Sequence, residues 1–132
     1  MIATEVTDAF AIECLARMAV RPWKAALIRV GAKGAYNRMT ASYADLGVDE
    51  VQGAGYVKGG AMLKNAKAVM RDGRACLNFD PVQFVGADFA AIGAMIYASD
   101  TGTVGCTLNF GATFAAVGGG TFVLPMDCPI RL

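Results

Sequence analysis

The sequence predicts a mainly β protein, an antiparallel sandwich or barrel preceded by one short helix. Two observations carry the β prediction. Short apolar runs follow one another after residue 80 with turn residues between them, and an alternating stretch surrounds Asp72-Gly73, a tight-turn dipeptide. A third sets the helix apart: a 3.6-residue apolar period is confined to the first twenty residues or so. At 132 residues the chain has about one domain's worth of sequence. It reads as a single unit over 1–132, with the helix in 1–21 and the β-sandwich in 22–132, the latter interrupted by a long loop at 31–60.

In the helix, Val6, Phe10, Cys14 and Leu15 or Met18 recur at spacings of three and four. Thr7 or Asp8 can cap its start, Arg17 suits its end, and Pro22 bounds it. Trp23 to Val30 reads as a strand closed by Gly31, although its two faces are not cleanly amphipathic. Residues 31–60 carry seven glycines and no sustained period, which predicts a long excursion of the kind that tends to be functional or to order against a partner. Met62 to Met70 is ambiguous between helix and strand on propensity. The alternation of Ala75, Leu77 and Phe79 after Asp72-Gly73 favours a hairpin over 63–80. Strands are then expected at 82–85, 90–98, 104–110 and 121–124, separated by turns at 86–88, 99–103 and 118–120. The tail Ile130-Arg131-Leu132 follows two prolines and fits an edge strand.

Composition bears on the surface this fold must carry. Hydrophobic residues make up 55% and charged residues only 17%, with a mean hydropathy of +0.43, so the chain is not intrinsically disordered. The supply of charge is thin for a small free-standing domain. It is also segregated: residues 17–74 hold eleven of the twelve cations and four acids, whereas only Asp100, Asp127 and Arg131 are charged from Phe89 to Leu132. An uncharged stretch of that length points to contact with other chains. Salt bridges between copies, joining the cationic segment to the acidic flanks, are the economical reading of the segregation.

Several chemistries find no support. The chain has no histidine, the commonest general base and metal ligand, and no cofactor-binding or metal-binding set stands out. Cys14, Cys76, Cys106 and Cys128 are widely spaced and read as small buried thiols. Acids at 5, 8 and 13 occupy the stretch where a secretion leader would need basic and apolar residues, which predicts synthesis in a reducing cytoplasm. The longest apolar run, Phe89 to Ala98, is too short for a membrane helix. Gly53 to Gly60 resembles a nucleotide loop but lacks the preceding buried strand and any Gly-Lys-Ser/Thr, so its glycines read as turn and close-approach residues. Asp45, Asp49, Glu50, Asp80 and Asp88 match no metal pattern and read as solvated loop acids or turn caps. The basic residues of 17–38, with Trp23 and Tyr36 nearby, suggest nucleic acid, but a net charge of +1 and a pI near 7.6 argue against a dedicated binder.

The order of segments resembles a known family. The helix, Ala26-Leu27-Ile28, a Tyr-containing excursion and Gly-x-Gly-Tyr-x-x-Gly-Gly at 53–60 look like the beginning of small virion structural proteins of tailed bacteriophages. Gly73 to Asp80, the aromatic Phe84, Ala94-Met-Ile-Tyr97 with Asp100-Thr-Gly, Leu108-Asn-Phe-Gly111 and Thr121-Phe-Val-Leu124 are similar to its later strands, so the resemblance spans residues 20–125. The four cysteines and the Met/Lys/Ala character of 62–70 depart from the pattern. The resemblance implies an antiparallel β-sandwich, jelly-roll-like, carried on the particle, often as a capsid decoration or cement protein.

The function expected is therefore non-enzymatic: a subunit that stabilises a phage head by binding the major capsid protein and its own copies as a homo-oligomer. It would be assembled in the host cytoplasm and reside on the capsid surface. Candidate contact residues are Tyr43 and Tyr56 in the excursion and Ile130 and Leu132 in the tail, a tail that equally fits a strand closing its own sheet. The alternatives are a tail or tail-fibre adaptor subunit, or a carbohydrate-binding host-recognition module using Trp23 and the loop tyrosines.

Overall fold

The structure, a computed structural model, describes residues 2–132. One helix, α1 (Asp8–Ala19), precedes seven strands: β1 (Trp23–Arg29), β2 (Ala61–Met62), β3 (Lys67–Arg71), β4 (Arg74–Asn78), β5 (Val82–Ala98), β6 (Val104–Leu124) and β7 (Ile130–Arg131). They form two antiparallel sheets, one in the order β2-β1-β5-β6 and the other β3-β4-β7. Neither sheet closes on itself. No helix among the described residues is long and apolar enough to cross a membrane.

Thr7 caps α1, its hydroxyl accepting from the Phe10 amide at 3.3 Å, with Asp8 in the first turn and Arg17 in the last complementing the helix dipole. The buried face matches the apolar spacing only at Leu15. Ala11 and Leu15 face the β3–β4 hairpin, while Val6 and Phe10 are exposed. Small Ala11 lets the helix come close to the sheet, which a phenylalanine at the contact would prevent.

β1 is buried on both faces, which is why its sequence lacks alternation. Trp23, Ala25 and Leu27 enter the main core, shared with α1 and the small sheet through Leu15, Leu77 and Phe79. Ala26 and Ile28 face the other way, into a second cluster with Leu46, Met95 and Tyr97 beneath the 31–60 excursion. The Trp23 indole N–H donates to the Met18 carbonyl at 2.8 Å, closing the corner between helix and strand.

The hairpin at Asp72-Gly73 forms, with both residues left-handed at φ 52° and 75° as a tight two-residue turn requires. It spans 67–78 rather than 63–80. The Leu63 amide is instead committed to the Trp23 carbonyl, and Asn65 takes a left-handed φ of 55° that breaks the strand before Lys67.

The four short strands expected after residue 80 are two long ones. Val82 to Ala98 is one strand and Val104 to Leu124 another, paired from Val82↔Leu124 to Tyr97↔Val104. The glycines read as turns at 86 and 118–119 lie in register shifts, with positive φ at Gly86, Gly111, Gly118 and Gly119. They are bulges that bend the ribbon without ending it. Of the three turns expected after residue 80, only 99–103 lies between strands.

The thiol reading also changes. Cys76 and Cys128 are joined in a disulfide across 52 residues, while Cys14 and Cys106 are free. The bond anchors the tail, in which Ile130 pairs with Leu77, and the Leu132 amide reaches the Ala75 carbonyl at 3.0 Å.

Candidate assembly surface

Adjacent carboxylates at 49 and 50 hold the 31–60 excursion in place. Two single-turn 3-10 segments, Tyr43–Asp45 and Gly47–Asp49, carry the chain into an extended stretch where Glu50 bridges to Ile28 and the Val51 amide bonds the Leu27 carbonyl at 3.0 Å. This fixes both acids against the end of β1, and both are buried. Glu50 accepts from the Tyr43 hydroxyl at 2.6 Å, from the Tyr56 hydroxyl and from the Gly59 amide at 2.7 Å. The Tyr97 hydroxyl donates to the Gly59 carbonyl at 2.5 Å. Asp49 accepts from the Tyr36 hydroxyl at 2.5 Å and from the amides of Lys33 and Gly34 at 3.0 and 2.9 Å, with the Arg29 guanidinium at 3.6 Å.

Burial and these bonds together set the titration of the cluster. The Tyr36 hydroxyl bond, followed by the two amide bonds, lowers the Asp49 carboxyl to about 2. Burial, then the bond to Asp49, pushes Tyr36 up to about 12. Burial, then the bond to Glu50, raises Tyr43 and Tyr56 further, and burial raises Tyr97. A carboxylate enclosed by such donors is an anchor. Asp49 and Glu50 are thus not solvated loop acids; Asp45 does cap a turn, accepting from the Ser42 amide at 3.1 Å.

The glycine-rich element 53–60 serves close approach. A Cβ on Gly60, whose φ is 85°, would lie 1.8 Å from the Ala25 carbonyl oxygen, and one on Gly55 would lie 2.7 Å from the β5 backbone at Ala87. An open cavity of about 540 Å³ lies beside it, lined in part by Val48, Glu50, Tyr56 and Lys58.

Tyr43 and Tyr56 are half-buried, with their hydroxyls on Glu50. The Tyr43 ring stacks on Tyr97, and the Tyr56 ring packs on Phe84 and Phe89. Ile130 is half-buried in β7, and Leu132 is exposed at the end of the tail. The structure does not bring the two pairs together: the tyrosine side chains lie beneath the excursion, whereas the tail pairs with β4, the Ile130 side chain reaching across to Gly105 of β6 and the main core. Trp23, which a carbohydrate platform would present to solvent, is buried.

The segregated charges are partly matched within the chain. Arg21 meets Asp100 at 2.9 Å and Arg71 meets Asp127 at 2.6 Å, so two acids of the C-terminal flank have partners within the chain instead of being left for salt bridges between copies.

The uncharged C-terminal stretch is β6. It forms the outer edge of the four-stranded sheet and carries no charged residue and no proline over its 21 residues. Its middle is open, with Phe114 and Val117 exposed and Val123 exposed nearer its end. Beyond the reach of β1, which pairs with β5 only from Ala91 to Ala98, the β5–β6 ladder runs on as a two-stranded ribbon. One side of the ribbon buries Phe84, Phe89 and Phe122 in the core. Sequence reasoning found the missing charge but not the edge, because the interior glycines read as turns. In comparisons with protein-family models, curated proteins and solved structures, nothing matches this chain.

Proposed function

We propose that the chain is a non-enzymatic structural subunit of a virion, a decoration or cement protein that binds the major capsid protein and further copies of itself on a tailed-phage head. The observation that carries this reading is the 21-residue edge strand without a charge, a surface suited to contact with other chains. The likeness of residues 20–125 to small phage virion proteins supplies the kind of assembly. In its finer form the fold is a jelly-roll-like sandwich, made from the two antiparallel sheets.

The mechanism is added buried area. A contact of standard size covers about 1,600 Å² in total, and many symmetry-related contacts acting together oppose the outward pressure of packaged DNA. The tyrosine-pinned excursion contributes a rigid layer over the outer face of β1. Residence is on the capsid surface after assembly in the host cytoplasm.

Cryo-EM of intact particles, with copy number from quantitative mass spectrometry, tests the proposal. Hundreds of copies spread over the shell support it. A handful at the portal vertex replaces it with a tail or tail-fibre adaptor, and absence from the particle overturns both.

A further inference from the structure

The two sheets differ in how their edges are protected. At the β1 edge of the four-stranded sheet, β2 spans two residues, and Glu50 and Val51 bond alongside Ile28 and Leu27. In the three-stranded sheet, β3 carries Lys67 and Arg71 and has α1 packed against it, while β7 is two residues long. Short length, charge, cover and bulges are the usual defences against strand pairing, and of these β6 carries only the bulges at Gly111 and Gly118-Gly119 along most of its length. Among the described residues, β6 alone is long and uncharged, with its second half uncovered. The excursion bonds its backbone only at its start, where the Val104 amide bonds the Ala41 carbonyl at 3.1 Å, and side-chain cover is confined to its first half, where Ile130 sits over Gly105 and Tyr36 lies near Leu108 and Asn109.

We propose that β6 is the self-association edge of this protein, adding antiparallel to β6 of a second copy so that two four-stranded sheets become one continuous sheet. The inference deepens the structural-subunit reading and rests on it. Electrostatics favours a second copy as the occupant. An isologous pairing brings each strand against its own sequence, so any charge would face a like charge near the two-fold axis, and β6 carries none. Area agrees. At about 3.3 Å per residue β6 extends for at most about 70 Å, and a sheet about 10 Å thick would cover at most about 700 Å² per partner, which approaches the roughly 800 Å² of a stable interface. The register shifts around Gly111 and Gly118-Gly119 divide the edge into short pairing lengths, which limits slippage along it.

The test compares the full chain with a Val117→Lys/Thr121→Lys variant, both positions being exposed, and with Val48→Lys, an exposed loop control. Analytical ultracentrifugation should give a dimer for the wild type and the control and a monomer for the double variant. Hydrogen exchange should show β6 amides protected in the dimer and released in the double variant, with the β3–β4 amides unchanged as evidence of folding. A monomeric wild type, or a double variant that stays dimeric, overturns the inference. So does a wild type whose β6 amides become protected only when major capsid protein is added. None of these results removes the protein from particles, so the copy-number measurement judges the virion reading separately.

Discussion

The Tyr43 hydroxyl donates to a Glu50 carboxylate oxygen at 2.6 Å, while the ring of Tyr43 lies on that of Tyr97 with centroids 4.5 Å apart. One residue thus links the buried acid of the excursion to the sheet beneath it. Tyr56 extends the linkage, because its hydroxyl donates to Glu50 and accepts from the Leu27 amide at 3.1 Å. The part of the excursion from Tyr43 to Gly59 is thereby held by one carboxylate and its donors, while Asp49 holds the part from Lys33 to Tyr36.

Glu50→Ala should therefore loosen the excursion more than any surface substitution in it. The change removes the acceptor for two hydroxyls and the Gly59 amide, with an expected loss of about 3 kcal/mol. Urea unfolding measures the loss. Hydrogen exchange should quicken from Tyr43 to Gly60 and leave the β3–β4 hairpin unchanged; a uniform change would mean that Glu50 does not act locally.

Asp49 makes the excursion acid-sensitive. Its folded value of about 2 lies below the ordinary 3.8, so the folded state binds its proton more weakly than the unfolded state. Its contribution to stability is fully present above pH about 4 and is lost as the pH falls towards 2. The charged and titratable groups facing it are Tyr36 and Arg29. Asp49→Asn should be less stable than the wild type at neutral pH, and its unfolding free energy should fall less between pH about 5 and about 2.5. Parallel pH profiles for the two proteins would refute this.

The tyrosines give the opposite sign at the alkaline end. All four are raised above the ordinary value of 10.0, Tyr36 to about 12, so their contribution is present below pH about 10 and is lost as the pH rises through the folded values. Absorbance titration of phenolate should show little ionisation near pH 10 in the folded protein and about half ionisation near that pH in denaturant. A folded-state midpoint near 10 would show that the hydroxyls are solvated.

These features differ in how far the sequence reveals them. The Asp72-Gly73 hairpin is legible because its determinants are local: two residues able to take positive φ, with alternation on one side. β1 is also legible, and its poor amphipathicity was the correct signal of burial on both faces. The merged strands β5 and β6 are not, because a glycine in a bulge and one in a turn have the same local preference, and only the partner strand distinguishes them. Nor does the spacing of Asp49 and Glu50 reveal their burial, since the donors come from Tyr36, Tyr43, Tyr56 and backbone that only folding brings around them. The helix face is legible only at Leu15, because apolar size points to Phe10 whereas the contact with the hairpin depends on the close approach that Ala11 permits.

The cysteines offer the sharpest contrast between spacing and structure, and a direct test. Cys76 and Cys128 are 52 residues apart, and nothing local pairs them; the contact follows from β7 lying beside β4. By loop-closure entropy, a link of that length should add about 4 kcal/mol to stability. Reduction should lower the melting temperature and release the amides of Ile130 to Leu132 first, since the bond anchors that strand. Alkylation without reductant should modify Cys14 and Cys106 but not the bonded pair, and the two should react at different rates. Burial raises the Cys106 thiol to about 12, which leaves little thiolate to react at neutral pH, so Cys14 should be labelled first. Four rapidly alkylated cysteines in the native protein would refute both the disulfide and the partial burial of Cys106.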